Sequence, residues 1–116
     1  MSKRVEPQNL REAAASYGNT PFLLYCGSDG SARVNHVVVE LTTEPPSATV
    51  TGFGRGVPRA VEAGSALSLL WPSLEPDGFS LIADGTGSFD DEDTLVIAVS
   101  GAVLHRPAPV DGRRAC

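Results

Sequence analysis

The stretch from Phe79 to Leu104 holds two runs of strand character joined by an acidic turn, and the first of them is not suited to lie flat. From Phe79 to Phe89 the residues alternate. Phe79, Leu81, Ala83, Gly85, Gly87 and Phe89 fall on one face, and Ser80, Ile82, Asp84, Thr86 and Ser88 on the other. A period of two with one largely polar face is the pattern of a strand that rests on a core. Gly85 and Gly87 take two side chains off the apolar face, so the sheet bends there or lets another backbone approach closely, as a small barrel needs. Asp90-Asp91-Glu92-Asp93 then makes a turn. Leu95 to Leu104 is apolar on both faces and reads as a strand sealed by the core and by a partner subunit.

Turn signals divide the rest of the chain into similar short pieces. Pro7 to Tyr17 carries Leu10, Ala13, Ala14 and Tyr17 at helical spacing with Gly18 to stop it, which predicts one helix within the N-terminal segment 1–20. Pro21 to Cys26 is a short apolar run, and Gly27-Ser28-Asp29-Gly30 after it is a hairpin signal. The second hairpin strand runs from Arg33 to Thr43 and ends at Glu44-Pro45-Pro46-Ser47. Ala48 to Thr51 is a further strand, Arg59 to Ala63 a turn or two of helix, and Ala66 to Trp71 another strand before a proline-flanked loop. With 12 Gly and 9 Pro in 116 residues the composition favours short strands over long helices. The expected architecture is one domain over 1–116, mainly β with short helices: a six-stranded antiparallel barrel with a flexible tail at 107–116.

Between the strand ending at Thr51 and the short helix lies Gly52-Phe53-Gly54-Arg55-Gly56-Val57-Pro58-Arg59. Alternate glycines free the backbone to aim N–H groups at one point, and two arginines flank the helix start, so the segment suits a phosphate. A tight strand-to-helix connection with solvated arginines explains it equally well. A dinucleotide fingerprint does not, because that motif needs a long helix, a parallel βαβ unit and an acidic residue about twenty positions on. Glu75 has the distance but sits in a proline-flanked loop.

Other chemistry is sparse. The net charge of −5 argues against a nucleic-acid surface, so any anion site is small and local. No run reaches the roughly eighteen apolar residues of a membrane span and no signal-peptide core is present, so a cytoplasmic protein is expected. Cys26, inside an apolar run, is expected to be a buried free thiol, and Cys116 has no metal-ligand spacing to it. His36 and Glu40 share a strand face but lie four residues apart, about 13 Å, and form no dyad. No metal site and no nucleophile elbow is expected, and no catalytic residue is identified. Any reaction would be carried by a bound cofactor.

Four stretches in this order resemble the flavin-binding split-barrel family related to pyridoxamine 5′-phosphate oxidase: Cys26 to Val37, Gly54-Arg55-Gly56 to Arg59-Ala60, Leu69-Leu70-Trp71-Pro72, and Phe79 to Gly85. The resemblance spans Pro21 to Pro107. It implies a homodimer of split barrels with FMN at the subunit interface and an oxidoreductase acting on a small molecule. Arg33, Val34 and Asn35 would line the flavin, Thr51, Arg55 and Arg59 would face its phosphate, and Gly52 would also belong to the cofactor site. Ser80 stands where a glutamine of the larger oxidase reaches the flavin, and Arg59 where a lysine is common. The chain lacks the region that binds pyridoxamine, so oxidation of pyridoxamine phosphate is not expected. A deazaflavin is the alternative cofactor. A different class of function is a barrel that binds flavin or heme without turnover, or no cofactor at all, and serves as a storage, sensing or interaction module.

Overall fold

Alternating residues set the strands and turn residues set their ends, and the computed structural model describes the outcome for residues 2–108. Eight strands form one antiparallel sheet: β1 (Ser2–Val5), β2 (Phe22–Cys26), β3 (Ala32–His36), β4 (Val38–Thr43), β5 (Pro46–Thr51), β6 (Leu67–Trp71), β7 (Ser80–Asp91) and β8 (Thr94–His105). A 3-10 turn at Pro7–Asn9 runs into helix α1 (Leu10–Ala14), and helix α2 (Gly56–Glu62) lies between β5 and β6. The protein is mainly β. None of its described helices is long and apolar enough to cross a membrane.

The strand order is β3-β2-β6-β7-β8-β5-β4, with β1 on the edge of β8. β3 and β4 therefore stand at opposite ends of the ladder, yet Val37 alone separates them in sequence. The two ends meet within two Cα steps, about 7 Å, so the sheet must curl. β3 and β4 do not pair with each other, and the ladder is open at that point. Val37 is 2% exposed, and its N–H donates to the Pro21 carbonyl at 3.1 Å.

Inside the curl the core is one cluster in which Leu23, Val50, Val57, Leu69, Leu81 and Leu95 are fully buried. Each such side chain stabilises the fold by about 1.5–3 kcal/mol relative to exposure. Trp71 closes one end: it is buried, and its indole N–H donates to the Gly18 carbonyl at 3.0 Å. Gly18 has φ +92°, the left-handed conformation that turns the chain away after the N-terminal helix. Where β7 is expected to bend or to let another backbone approach, its partner β8 carries a β-bulge, with Asp84 opposite Gly101 and Gly85 opposite Val99. Ser100 is the extra residue, and its hydroxyl donates to the Asp84 carbonyl at 3.2 Å. A Cβ on Gly85 would collide with the Ala98 carbonyl oxygen, and one on Gly87 would lie 2.7 Å from Leu67 Cδ1.

Several expectations need correction. The strand expected over Arg33 to Thr43 is broken at Val37, giving two strands at opposite ends of the sheet. Segment 1–20 opens with strand β1, not with helix. β5 covers the β8 edge only from Leu95 to Ala98, and β1 pairs with the stretch Ala102 to His105 further along. The helix expected over Pro7 to Tyr17 is shorter, because Leu10 and Ala14 take up its buried face and Tyr17 instead donates its hydroxyl to the Phe79 carbonyl at 2.8 Å. Helix α2 starts at Gly56, ahead of the expected Arg59. Cys26 is exposed, not buried, since Leu23 and Tyr25 take the inward positions of β2 and Cys26 falls on the other face at the strand end. Most of the tail expected at 107–116, with Cys116, lies outside the described residues.

Candidate functional site

α2 turns two residues inward and two outward. Val57 and Ala60 are buried against the core. Arg55 and Arg59, one helical turn apart, share the outward side and project together. Both line a cavity of about 560 Å³ whose wall is completed by Tyr25, Gly27, Ser28, Arg33, Val34, Asn35, Gly54 and Gly56. The cavity thus lies between the β2–β3 hairpin and the segment that leads from β5 into α2, and its size is that of a small-molecule site.

Three of the chain's arginines meet at this cavity although the protein carries a net charge of −5. Arg33 is tethered: its Nη2 lies 3.2 Å from Asp29 Oδ2. Asp29 in turn accepts the Ser31 hydroxyl at 2.6 Å and the Ser31 N–H at 3.0 Å. The Ser31 hydroxyl, the Ser31 N–H and the Arg33 charge, in that order, hold the Asp29 carboxyl below its ordinary range. A Cβ on Gly27 would lie 3.1 Å from Arg33 Nε, so glycine there gives the guanidinium room over the hairpin. The side chains of Arg55 and Arg59 have no ion pair or hydrogen bond among the described residues. Like charges at this spacing oppose each other, and no carboxylate among the described lining residues offsets them.

Glycine also shapes the opposite wall. The Gly54 N–H donates to Asn35 Oδ1 at 2.7 Å, which fixes the loop to β3, and a Cβ on Gly54 would lie 3.1 Å from that same oxygen. A Cβ on Gly56 would lie 3.0 Å from the Tyr25 hydroxyl. At seven residues α2 is short, so the positive character of the site comes from its guanidinium groups more than from the helix end.

Of the residues expected from the sequence, Arg33, Val34, Asn35, Arg55 and Arg59 are brought together at the cavity. Thr51 and Gly52 are not in its wall: Thr51 ends β5 opposite Val38, and Gly52 turns the chain with φ +81°. Ser80 stands elsewhere, at the start of β7, where its Oγ accepts the Ser73 N–H at 2.9 Å. It is five residues, about 16 Å of strand, from the Gly85 that pairs with Leu67 beside Tyr25. Tyr25, Gly27 and Ser28 are wall residues that sequence reasoning did not single out. The signal for Tyr25 was its hydroxyl, a polar tip within an otherwise apolar run.

Neither histidine lines the cavity. His36 stacks on Phe22 with ring centroids 4.5 Å apart and bonds the Thr20 carbonyl through Nε2 at 2.9 Å, while His105 Nδ1 meets the Ser2 hydroxyl at 3.2 Å. Among the described residues no three His, Cys, Asp or Glu side chains converge to hold a metal ion. The outer face of the sheet carries a half-buried apolar row, paired strand to strand from Phe22 to Leu70, Ile82 and Val103. Leu24 beside Phe22 pairs with Val34, which is 58% exposed and also lines the cavity.

No family model matches the chain, and no solved structure matches it significantly. Over 124 aligned positions it is 32% identical to Uncharacterized protein Mb0449c of Mycobacterium bovis, with 89% of this chain and 83% of the relative covered. Identity and coverage are the same for Uncharacterized protein MT0457 of Mycobacterium tuberculosis. The chain belongs to the family of these mycobacterial proteins.

Proposed function

We propose that the cavity holds the phosphate end of FMN and that the protein is a flavin-dependent oxidoreductase acting on a small molecule. The observation that carries this reading is the meeting of Arg33, Arg55 and Arg59 in one cavity of an acidic protein, two of them with no counter-ion among the described residues. With Asp29 offsetting Arg33, two positive charges remain, which matches a phosphate monoester of about −1.5 to −2 at neutral pH. Arginine's planar fork suits such a group through paired charge-assisted hydrogen bonds.

The fold supports the same reading. The resemblance implies a mainly β antiparallel barrel of six strands, and the sheet here, of eight strands and open between β3 and β4, agrees in class and curls until its two ends meet at Val37. Val34 lines the cavity and pairs with Leu24, which lies next to Phe22 of the outer apolar row, so a second copy packed on that row would come close to the site, as a homodimer with interfacial FMN requires. FMN, or a deazaflavin in its place, would supply the hydride chemistry. The chain's own residues bind and orient: Arg55 and Arg59 hold the phosphate, Arg33 and Val34 flank the remainder, and Asn35 fixes the Gly54 loop.

Among the described residues the cavity wall contains no His, Asp, Glu, Lys or Cys to move a proton. That observation favours a second reading, a flavin- or heme-binding module without turnover. Titration of FMN into the purified protein, followed by its visible spectrum, tests the first claim. Arg55→Ala and Arg59→Ala should each weaken binding about tenfold to a hundredfold, the worth of a charged hydrogen bond of about 1.5–3 kcal/mol. Failure of the wild type to bind any flavin overturns the reading, and wild-type affinity in both variants overturns the phosphate assignment. Bound flavin that no nicotinamide reductant reduces favours the binding module. Sedimentation equilibrium tests the dimer, which a clean monomer removes.

A further inference from the structure

We propose that the Tyr25 hydroxyl is a ligand-binding group of this cavity, donating its proton to the anionic end of the guest, so that a phenol as well as arginines reads the phosphate. The inference rests on the proposed function only for the identity of the guest; it requires no more than an oxyanion.

The Tyr25 ring belongs to the core. At 8% exposure it sits on the inner side of β2 in step with Leu23, paired with Arg33 on one side and Leu67 on the other. A buried tyrosine usually directs its hydroxyl to a partner, because a phenol withdrawn from water without one costs stability. Among the described residues the Tyr25 hydroxyl has none, whereas Tyr17 gives its own to Phe79 and Trp71 its N–H to Gly18. No non-exposed residue among those described leaves a fully buried side-chain polar atom unsatisfied, so the Tyr25 oxygen retains an opening. That opening is the cavity, which Tyr25 lines.

Two neighbours define what the hydroxyl meets there. Gly56 carries no side chain at the point where a Cβ would stand 3.0 Å from the phenol oxygen, so the hydroxyl is uncovered. The charged groups of the wall among the described residues are Arg33, Arg55 and Arg59, which are donors only. A guest atom among three guanidinium groups and a phenol is therefore an acceptor with negative charge, and the phenol can give it an O–H···O⁻ bond. Phenylalanine would fill the core position equally well; the oxygen adds only what faces the cavity.

The test uses Tyr25→Phe, which removes that oxygen and leaves the packed ring. FMN and riboflavin binding are measured calorimetrically, and inorganic phosphate is titrated while the amide NMR signals of Gly54 and Gly56 are followed. The expected result is a wild-type melting temperature, FMN and phosphate affinities lower by about tenfold or more, and an unchanged riboflavin affinity. Wild-type FMN and phosphate affinities in the variant overturn the proposal, as does an equal loss for riboflavin, or a fall in melting temperature large enough to make the hydroxyl a structural group. If the wild type binds phosphate but no flavin, and the variant loses the phosphate, the role of Tyr25 stands and the flavin reading falls. If the wild type binds FMN and the variant binds it as tightly, the flavin reading stands and the role of Tyr25 falls. A wild type that binds none of these probes overturns both.

Discussion

The chain contains the triplet Gly-x-Gly in two places that differ in what the glycines make room for. At Gly85-Thr86-Gly87 in β7, added methyl groups would meet the Ala98 carbonyl and the side-chain ends of Ile97, Leu67 and Leu95, all parts of the sheet or core. At Gly54-Arg55-Gly56 before α2, they would meet Asn35 Oδ1 and the Tyr25 hydroxyl, polar atoms at a cavity. The first pair lets two strands approach across a bulge. The second lets the Gly54 N–H reach Asn35 Oδ1 and leaves the Tyr25 hydroxyl uncovered at the cavity. The motif has one conformational logic and two uses, and only the atoms facing the missing side chain tell them apart.

Substitutions should separate the two by which property they move. Gly85→Ala carries the largest expected effect, since its clash is with backbone and not with a flexible side-chain end. A loss of about 3 kcal/mol, read from denaturant midpoints, is expected, and a stability unchanged from wild type would mean that the bulge does not need its glycine. Gly56→Ala should do the opposite. Stability changes by less than about 1 kcal/mol in a first helical turn, while FMN affinity falls as the added methyl covers the Tyr25 hydroxyl. Should Gly56→Ala destabilise the fold as Gly85→Ala does, the distinction between the two triplets is lost.

The smallest effect belongs to the hairpin that tethers Arg33. The Asp29 carboxyl is held below its ordinary value of about 4, so whatever the Arg33 pair contributes is fully present above that value and is lost as pH falls through the depressed one. From about pH 5 to 8 the tether should not titrate, and an NMR titration of the Asp29 carboxyl carbon checks it. Asp29→Asn should cost FMN affinity less than loss of Arg55 or Arg59, because the pair is exposed on both sides. A loss as large as theirs would make Arg33 the dominant contact.

Strands with one buried face were legible because burial leaves a period of two in the sequence, and β2, β5, β6, β7 and β8 all show it in their burial patterns. β1 was not, since three residues of Ser2–Val5 are exposed and the strand exists only because the β8 edge beside it accepts one. The break at Val37 was equally hidden. The surrounding run is uniformly strand-forming, and local pattern does not record which neighbour each half pairs with. At the site, Arg55 and Arg59 were legible from their glycines and Arg33 from the family resemblance. Tyr25 was masked by the apolar residues around it, although the Asp29-Gly30 hairpin already places it opposite Arg33. Ser80 was expected at the cavity on resemblance alone, and strand register sets it toward the other end of β7.

β8 is the strand on which three others close: it pairs with β7 along most of its length, with β5 near its start and with β1 near its end. Its contact with β1 joins Ser2 to His105, a loop of about a hundred residues whose closure is entropically slow. During synthesis, the β2–β3 hairpin and the β4–β5 pair can form as they emerge, but the sheet has no path from one to the other until β8 is out of the ribosome. The cavity wall draws on both sides of that gap. The cavity is thus assembled late in the nascent chain, after β8 has docked.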